Sequence, residues 1–178
     1  MYDISVGVFS ARLKALASVL TAAEQNAGER KIDPQVFLTA RLAPDMFPFA
    51  RQFQIVSDTA KNAGARLTGA EAPAMPDTEA SFAELKARCD KTIAYLNTID
   101  PAQFDAGADR EVVMKFPNGG GMRFDGTTYL YGFAIPNFYF HATAAYAILR
   151  AQGVEIGKFD YLANLASHAF APPEAAKA

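Results

Sequence analysis

The chain is poor in the residues from which recognisable active sites are usually built. Its single cysteine, Cys89, allows no intrachain disulfide, and a reducing compartment is the natural setting. Cys89 falls inside an apolar helical pattern, where a free cysteine packs as a small hydrophobe and not as a nucleophile. There are two histidines, His141 and His168. The sequence holds no Cys-x-x-Cys, His-Glu-x-x-His, P-loop or Gly-x-Ser-x-Gly pattern, and no paired Glu-x-x-His ligands of the di-iron bundle kind. No motif therefore names a substrate or a reaction. Charge of one sign is lacking too: the formal net charge is -2 and Lys and Arg are scattered, which excludes nucleic acid as the main partner. No stretch is expected to approach the roughly 20 apolar residues that a membrane span needs. Met1-Tyr2-Asp3-Ile4 has no basic leader, so no signal peptide, no membrane partner and a cytoplasmic location are expected.

What is present is helical periodicity. Phe9, Leu13, Leu16 and Leu20 share one face of a first helix over about Asp3 to Gln25, with Asn26-Ala27-Gly28 as its stop. Asp33-Pro34 is a helix start, and the short helix it opens is closed by Pro44. After Met46-Phe47-Pro48, the positions Phe49, Phe53, Val56, Ala60, Ala63 and Leu67 form the stripe of a second long helix ended by Gly69. Ser81 and Glu84 have capping-box spacing ahead of a third, whose stripe is Phe82, Leu85, Cys89, Ile93, Leu96 and Ile99 and which stops near Asn97, before Asp100-Pro101.

The period then changes. The β-favouring runs 111–116 and 122–124 flank Pro117-Asn118-Gly119-Gly120-Gly121 and read as a hairpin inserted between the third and fourth long helices. The fourth runs from Thr127-Thr128 to Gly153, with a kink or restart at Pro136. A short C-terminal helix over about Lys158 to Phe170 completes the expectation: an all-α four-helix bundle, one domain over residues 1–170 with a flexible tail over 171–178.

Candidate chemistry gathers on the fourth helix. Asn137 and His141 are four apart and share a face, with Phe138, Tyr139, Phe140 and Tyr146 close by. An imidazole beside an amide, walled by rings, suits a small pocket in a bundle core, and equally suits a hydrogen-bonded core histidine. Gln54 and Asp58, with Gln52 near, put polar groups into the stripe of the second long helix. Asp45 precedes that helix and reads as its cap, while Tyr129, Tyr131 and the run Gly157-Lys158-Phe159-Asp160-Tyr161 offer polar tips. His168 sits in a terminal segment and is expected to have no role.

The segments R-L-A-P-D-M-F-P-F-A-R-Q and P-N-F-Y-F-H-A-T-A-A-Y-A-I-L-R-A-Q-G-V-E-I-G-K-F-D-Y-L resemble a bacterial family of unknown function, numbered nineteen ninety-three, within the DinB/YfiT-like superfamily. The resemblance runs from about Tyr2 to Leu162. It implies an up-down-down-up bundle, often a homodimer. It also implies a divalent-metal site of three histidines, one on the second long helix and two on the fourth. By position the fourth-helix pair falls on Asn137 and His141, and the remaining ligand falls near Gln54 to Asp58, where no histidine stands. A zinc or nickel ion would thus find at most Asp58, Asn137 and His141, a poor set for metals that favour several nitrogen or sulfur ligands. Two functions follow from the resemblance. One is a small-molecule-binding or stress-related module with a degenerate metal site. The other is a metal- or thiol-dependent transferase or hydrolase, with His141 as general base or ligand and Asp58 or Asp45 orienting it.

Overall fold

The computed structural model describes residues 1–162. In chain order it contains α1 (Val8–Glu29), α2 (Pro34–Leu38), α3 (Phe49–Thr68), α4 (Phe82–Leu96), α5 (Pro101–Asp105), β1 (Val112–Lys115), β2 (Gly121–Phe124), α6 (Gly126–Tyr129), α7 (Ile135–Ala151) and α8 (Lys158–Leu162). π-helical turns over Asp3–Gly7 and Leu130–Ala134 lead into α1 and α7. His168 and the tail over 171–178 lie outside the described residues.

Side-chain caps set the starts of α2, α4, α5 and α6. Asp33 accepts from the Gln35 amide at 2.9 Å with Pro34 at the first position of α2. Ser81 Oγ accepts from the Glu84 amide at 3.2 Å, and Glu84 reaches back to the Ala80 amide at 2.6 Å, one residue beyond the usual capping-box partner. Gly69 ends α3 in the left-handed region, at φ 74°.

Several boundaries differ from expectation. Asn26-Ala27-Gly28 does not stop α1, which continues to Glu29 and ends where Lys31 turns left-handed at φ 54°. Glycine inside a helix costs only about 1 kcal/mol, and the buried Ala23 and Ala27 keep that last turn packed on the core. Asp100-Pro101 follows α4 but also opens α5, because Asp100 accepts from the Gln103 amide at 2.9 Å. Asp45 caps nothing: it is exposed in the turn before α3, whose cap position is held by the extended Pro48. At Pro136 the chain does not break. The proline lacks an N–H and its ring crowds the carbonyl four residues back. The π turn immediately before it widens the helix there, and the backbone stays helical through Ala134.

Four long helices form the bundle. α3 packs mainly on α7 and also on α4, α1 packs mainly on α4, and a lighter α1–α7 contact closes the ring. The expected stripe of α3 is buried throughout, and Phe9 meets Phe138 at 4.6 Å between ring centroids where α1 crosses α7. β1 and β2 pair antiparallel with Val112 opposite Phe124, and Phe124 rests on Tyr129 and Phe133 at the entry to the fourth long helix. The helix over Asp3–Glu29, with a mean hydropathy of 1.4 in its most apolar window, is long and apolar enough to cross a membrane. That corrects the expectation of no such stretch. Half of the window is buried inside the bundle, and Phe9, Leu13, Leu16 and Leu20 are core residues.

Candidate functional site

α3 and α7 meet along a seam that is apolar except at two points. His141 is 8% exposed, and its Nδ1 lies 2.6 Å from Gln52 Oε1. Gln52 in turn donates from Nε2 to the Phe47 carbonyl at 2.9 Å, which commits its Oε1 to the acceptor role. Nδ1 of His141 therefore carries the proton and Nε2 is left with its lone pair. Two turns along α3, Thr59 Oγ1 accepts from Asn137 Nδ2 at 2.8 Å while donating to the Ile55 carbonyl at 2.7 Å. Burial holds the His141 pKa below the ordinary value, and the nearby positive charge of Arg51 lowers it further. The ring is neutral at neutral pH.

The expected partners of His141 divide between opposite sides of α3. Asn137 and His141 do share a face, but each is bonded to a different side chain of α3 and they do not converge. Gln52 and Thr59 are seven apart and face α7. Gln54 and Asp58 stand about 160° and about 120° round the helix from Gln52, on the same side, and face α4. There Gln54 donates to Glu79 at 3.0 Å, and Asp58 Oδ1 pairs with Lys61 at 2.9 Å and with Arg88 at 2.8 Å. Asp45 remains exposed. Tyr146 turns towards α8, its ring edge-on to Tyr161 at 5.5 Å. Tyr129 is fully buried and accepts from Arg66 at 2.8 Å, Tyr131 is half exposed, and Cys89 is buried with its thiol pushed up to about 12.

The set Asp58, Asn137 and His141 is thus not assembled, and among the described residues no group of three or more His, Cys, Asp or Glu is placed so that it could hold a metal ion. His141 keeps a free Nε2 lone pair, but one imidazole beside a neutral amide whose nitrogen is engaged falls short of the several nitrogen or sulfur ligands that zinc or nickel favours. What does lie beside His141 is an open, mainly apolar groove of about 460 Å³, bordered by Leu42, Met46, Pro136, Tyr139, Phe140 and Thr143. Phe140 is 59% exposed and meets the His141 ring edge-on at 5.1 Å.

One group was not anticipated from the sequence. Arg88, 3% exposed, is surrounded by Asp58, Asp77 and Glu79. Its place was readable: Leu85, Arg88 and Thr92 follow at spacings of three and four, which sets the arginine on the buried face of α4.

The bundle belongs to the DinB-like class. It is similar to the crystal structure of a DinB family member protein from Shewanella denitrificans, determined at 1.83 Å, with a TM-score of 0.84 and 41% sequence identity. The match covers 96% of this chain and 95% of that one. Residues 1–162 match the model of the domain of unknown function DUF1993, and the chain is a member of that family. No curated protein matches it.

Proposed function

We propose that this protein is a small-molecule-binding member of the DinB-like class that works without a catalytic metal. The observation that carries the reading is the pairing of Asn137 with Thr59 and of His141 with Gln52. Of the two positions at which the resemblance sets metal ligands, one is an amide that joins α7 to α3 through Thr59, and the other leaves a single imidazole, held by Gln52, with no second nitrogen or sulfur ligand converging on it. The groove beside them is the binding surface. Its volume falls within the range of small-molecule sites, and its lining of Leu42, Met46, Tyr139 and Phe140 suits a compact apolar or aromatic ligand with Thr143 as a polar anchor.

Metal-dependent transfer or hydrolysis is the competing reading, and the donor set does not fit it. Elemental analysis of untagged protein, beside melting curves with added Zn, Ni and Mn, separates the two. A ligand that binds only the folded state raises the melting temperature. The expected result is no stoichiometric metal and no rise, with a fluorescent apolar dye bound by the wild type and released by Phe140→Asp. A stoichiometric metal that disappears in His141→Ala would overturn the proposal.

A further inference from the structure

The α3–α4 seam, on the other side of α3 from His141, is polar where a bundle core is ordinarily apolar. Ser57 and Thr92 are fully buried with their hydroxyls 2.7 Å apart, and Lys61 and Arg88 are 7% and 3% exposed. A strap over residues 70–80, with no regular secondary structure, lies across them. Met75 Sδ covers both hydroxyls, at 3.9 Å from Ser57 and 3.7 Å from Thr92. Asp77 and Glu79 each bring one carboxylate to the same guanidinium, Asp77 Oδ1 to Nη2 at 3.0 Å and Glu79 Oε1 to Nη1 at 2.8 Å.

The way the strap is fastened suggests that it comes off. Among the described residues, none of 71–79 makes a backbone–backbone hydrogen bond. The attachments run instead through Arg88 to the two carboxylates and to the Pro76 carbonyl at 3.2 Å, through Arg51 to Asp77, and through Gln54 to Glu79. A buried ion network is a poor route to stability compared with apolar packing of the same volume. It is an exchangeable fastening, because a competing carboxylate offers Arg88 the same bonds. An entrance already exists: a cleft of about 210 Å³ opens beside the strap, bordered by Met75, Pro76, Glu79, Arg88 and Lys91.

Charge selects the ligand. With the strap in place, Asp58, Asp77 and Glu79 face Arg51, Lys61 and Arg88. When Asp77 and Glu79 leave, Asp58 alone faces three cations, and a dianion restores the balance. Two separate carboxylates on one guanidinium are matched by a short diacid better than by a compact tetrahedral anion. We propose that the α3–α4 seam is a binding site for a small dicarboxylic acid, held shut by a strap whose Asp77 and Glu79 occupy the places of the ligand's two carboxylates. Arg88 is the anchor, Asp58 orients it from α3, and Lys61 with the Ser57 and Thr92 hydroxyls supplies the remaining donors.

Succinate is the probe, titrated calorimetrically into the full chain with acetate, inorganic phosphate and sodium chloride at matched ionic strength as comparisons. Removing the internal competitor with Asp77→Asn and Glu79→Gln together is expected to tighten succinate binding at least tenfold. Arg88→Lys, which keeps the charge and loses the two-pronged geometry, is expected to weaken it at least tenfold. In the wild type, saturating succinate should speed amide exchange over residues 71–79 and leave the core of α3 protected. That measurement stands by itself if the double variant does not fold. Equal binding by acetate, preference for phosphate, a folded double variant no tighter than the wild type, or strap exchange unmoved by succinate would each overturn the proposal.

Discussion

His141 receives its tautomer from Gln52, and Gln52 receives its orientation from the Phe47 carbonyl. Protonation of the ring would put a second charge near Arg51 in a site already short of water, which is why its pKa lies below the ordinary histidine value. The consequence for stability has a definite sign. The unfolded chain takes up the proton near pH 6.5, before the native state does, so the unfolded form binds more protons between the two pKa values. Above that window the term is silent; as pH falls through it, stability is lost. Melting curves at pH 7.5 and pH 5.5 should show a larger loss for the wild type than for His141→Gln, which cannot titrate. Equal losses would mean that His141 is as readily protonated in the folded state as in the unfolded one.

At the level of elements, the caps carry measurable stability. Ser81→Ala removes the acceptor for the Glu84 amide and should cost about 1 kcal/mol. For a chain of this size that lowers the melting temperature by roughly 2–4 °C, while Ser81→Asp should retain most of it. The helices whose starts are written in caps are legible in the sequence: Asp33-Pro34, Ser81 with Glu84, and Gly69 as a stop all act as their chemistry dictates. The hairpin is legible because β-favouring runs flank a glycine cluster. Less legible are places where one signal serves two ends, as Asp100-Pro101 does after α4 and before α5, and where packing overrides a weak breaker, as Ala23 and Ala27 do for Gly28. The candidate site is half legible. Helical spacing puts Asn137 and His141 on one face, but it does not say which side of α3 they meet. Gln52 and Thr59 meet them, whereas Gln54 and Asp58, just as polar, turn to α4. The role of Arg88 is hidden in the sequence because a cation in an apolar stripe makes sense only beside its carboxylates, and these come from a loop and another helix.

For the molecule as a whole, α3 is the shared wall between two polar seams, one facing α7 and one facing α4. Arg51 touches both. It is bonded to Gln54 at 3.2 Å and paired with Asp77 on the strap, and its charge is one of the two causes that depress the His141 pKa. Asp77, as the counter-charge of Arg51, is expected to offset part of that effect. Asp77→Asn should push the His141 pKa further down, since it removes an anion and leaves Arg51 without its counter-charge. The change is read from the titration of the His141 ring protons by NMR, with His141→Gln used to assign the signal against His168. Because Arg51 is partly exposed, added salt should shrink the difference between wild type and Asp77→Asn, as screening predicts. A downward shift that salt diminishes would mean that the strap's position is felt electrostatically across α3. An unchanged midpoint at low salt would mean that the two seams are independent, and that closing or opening one leaves the other indifferent.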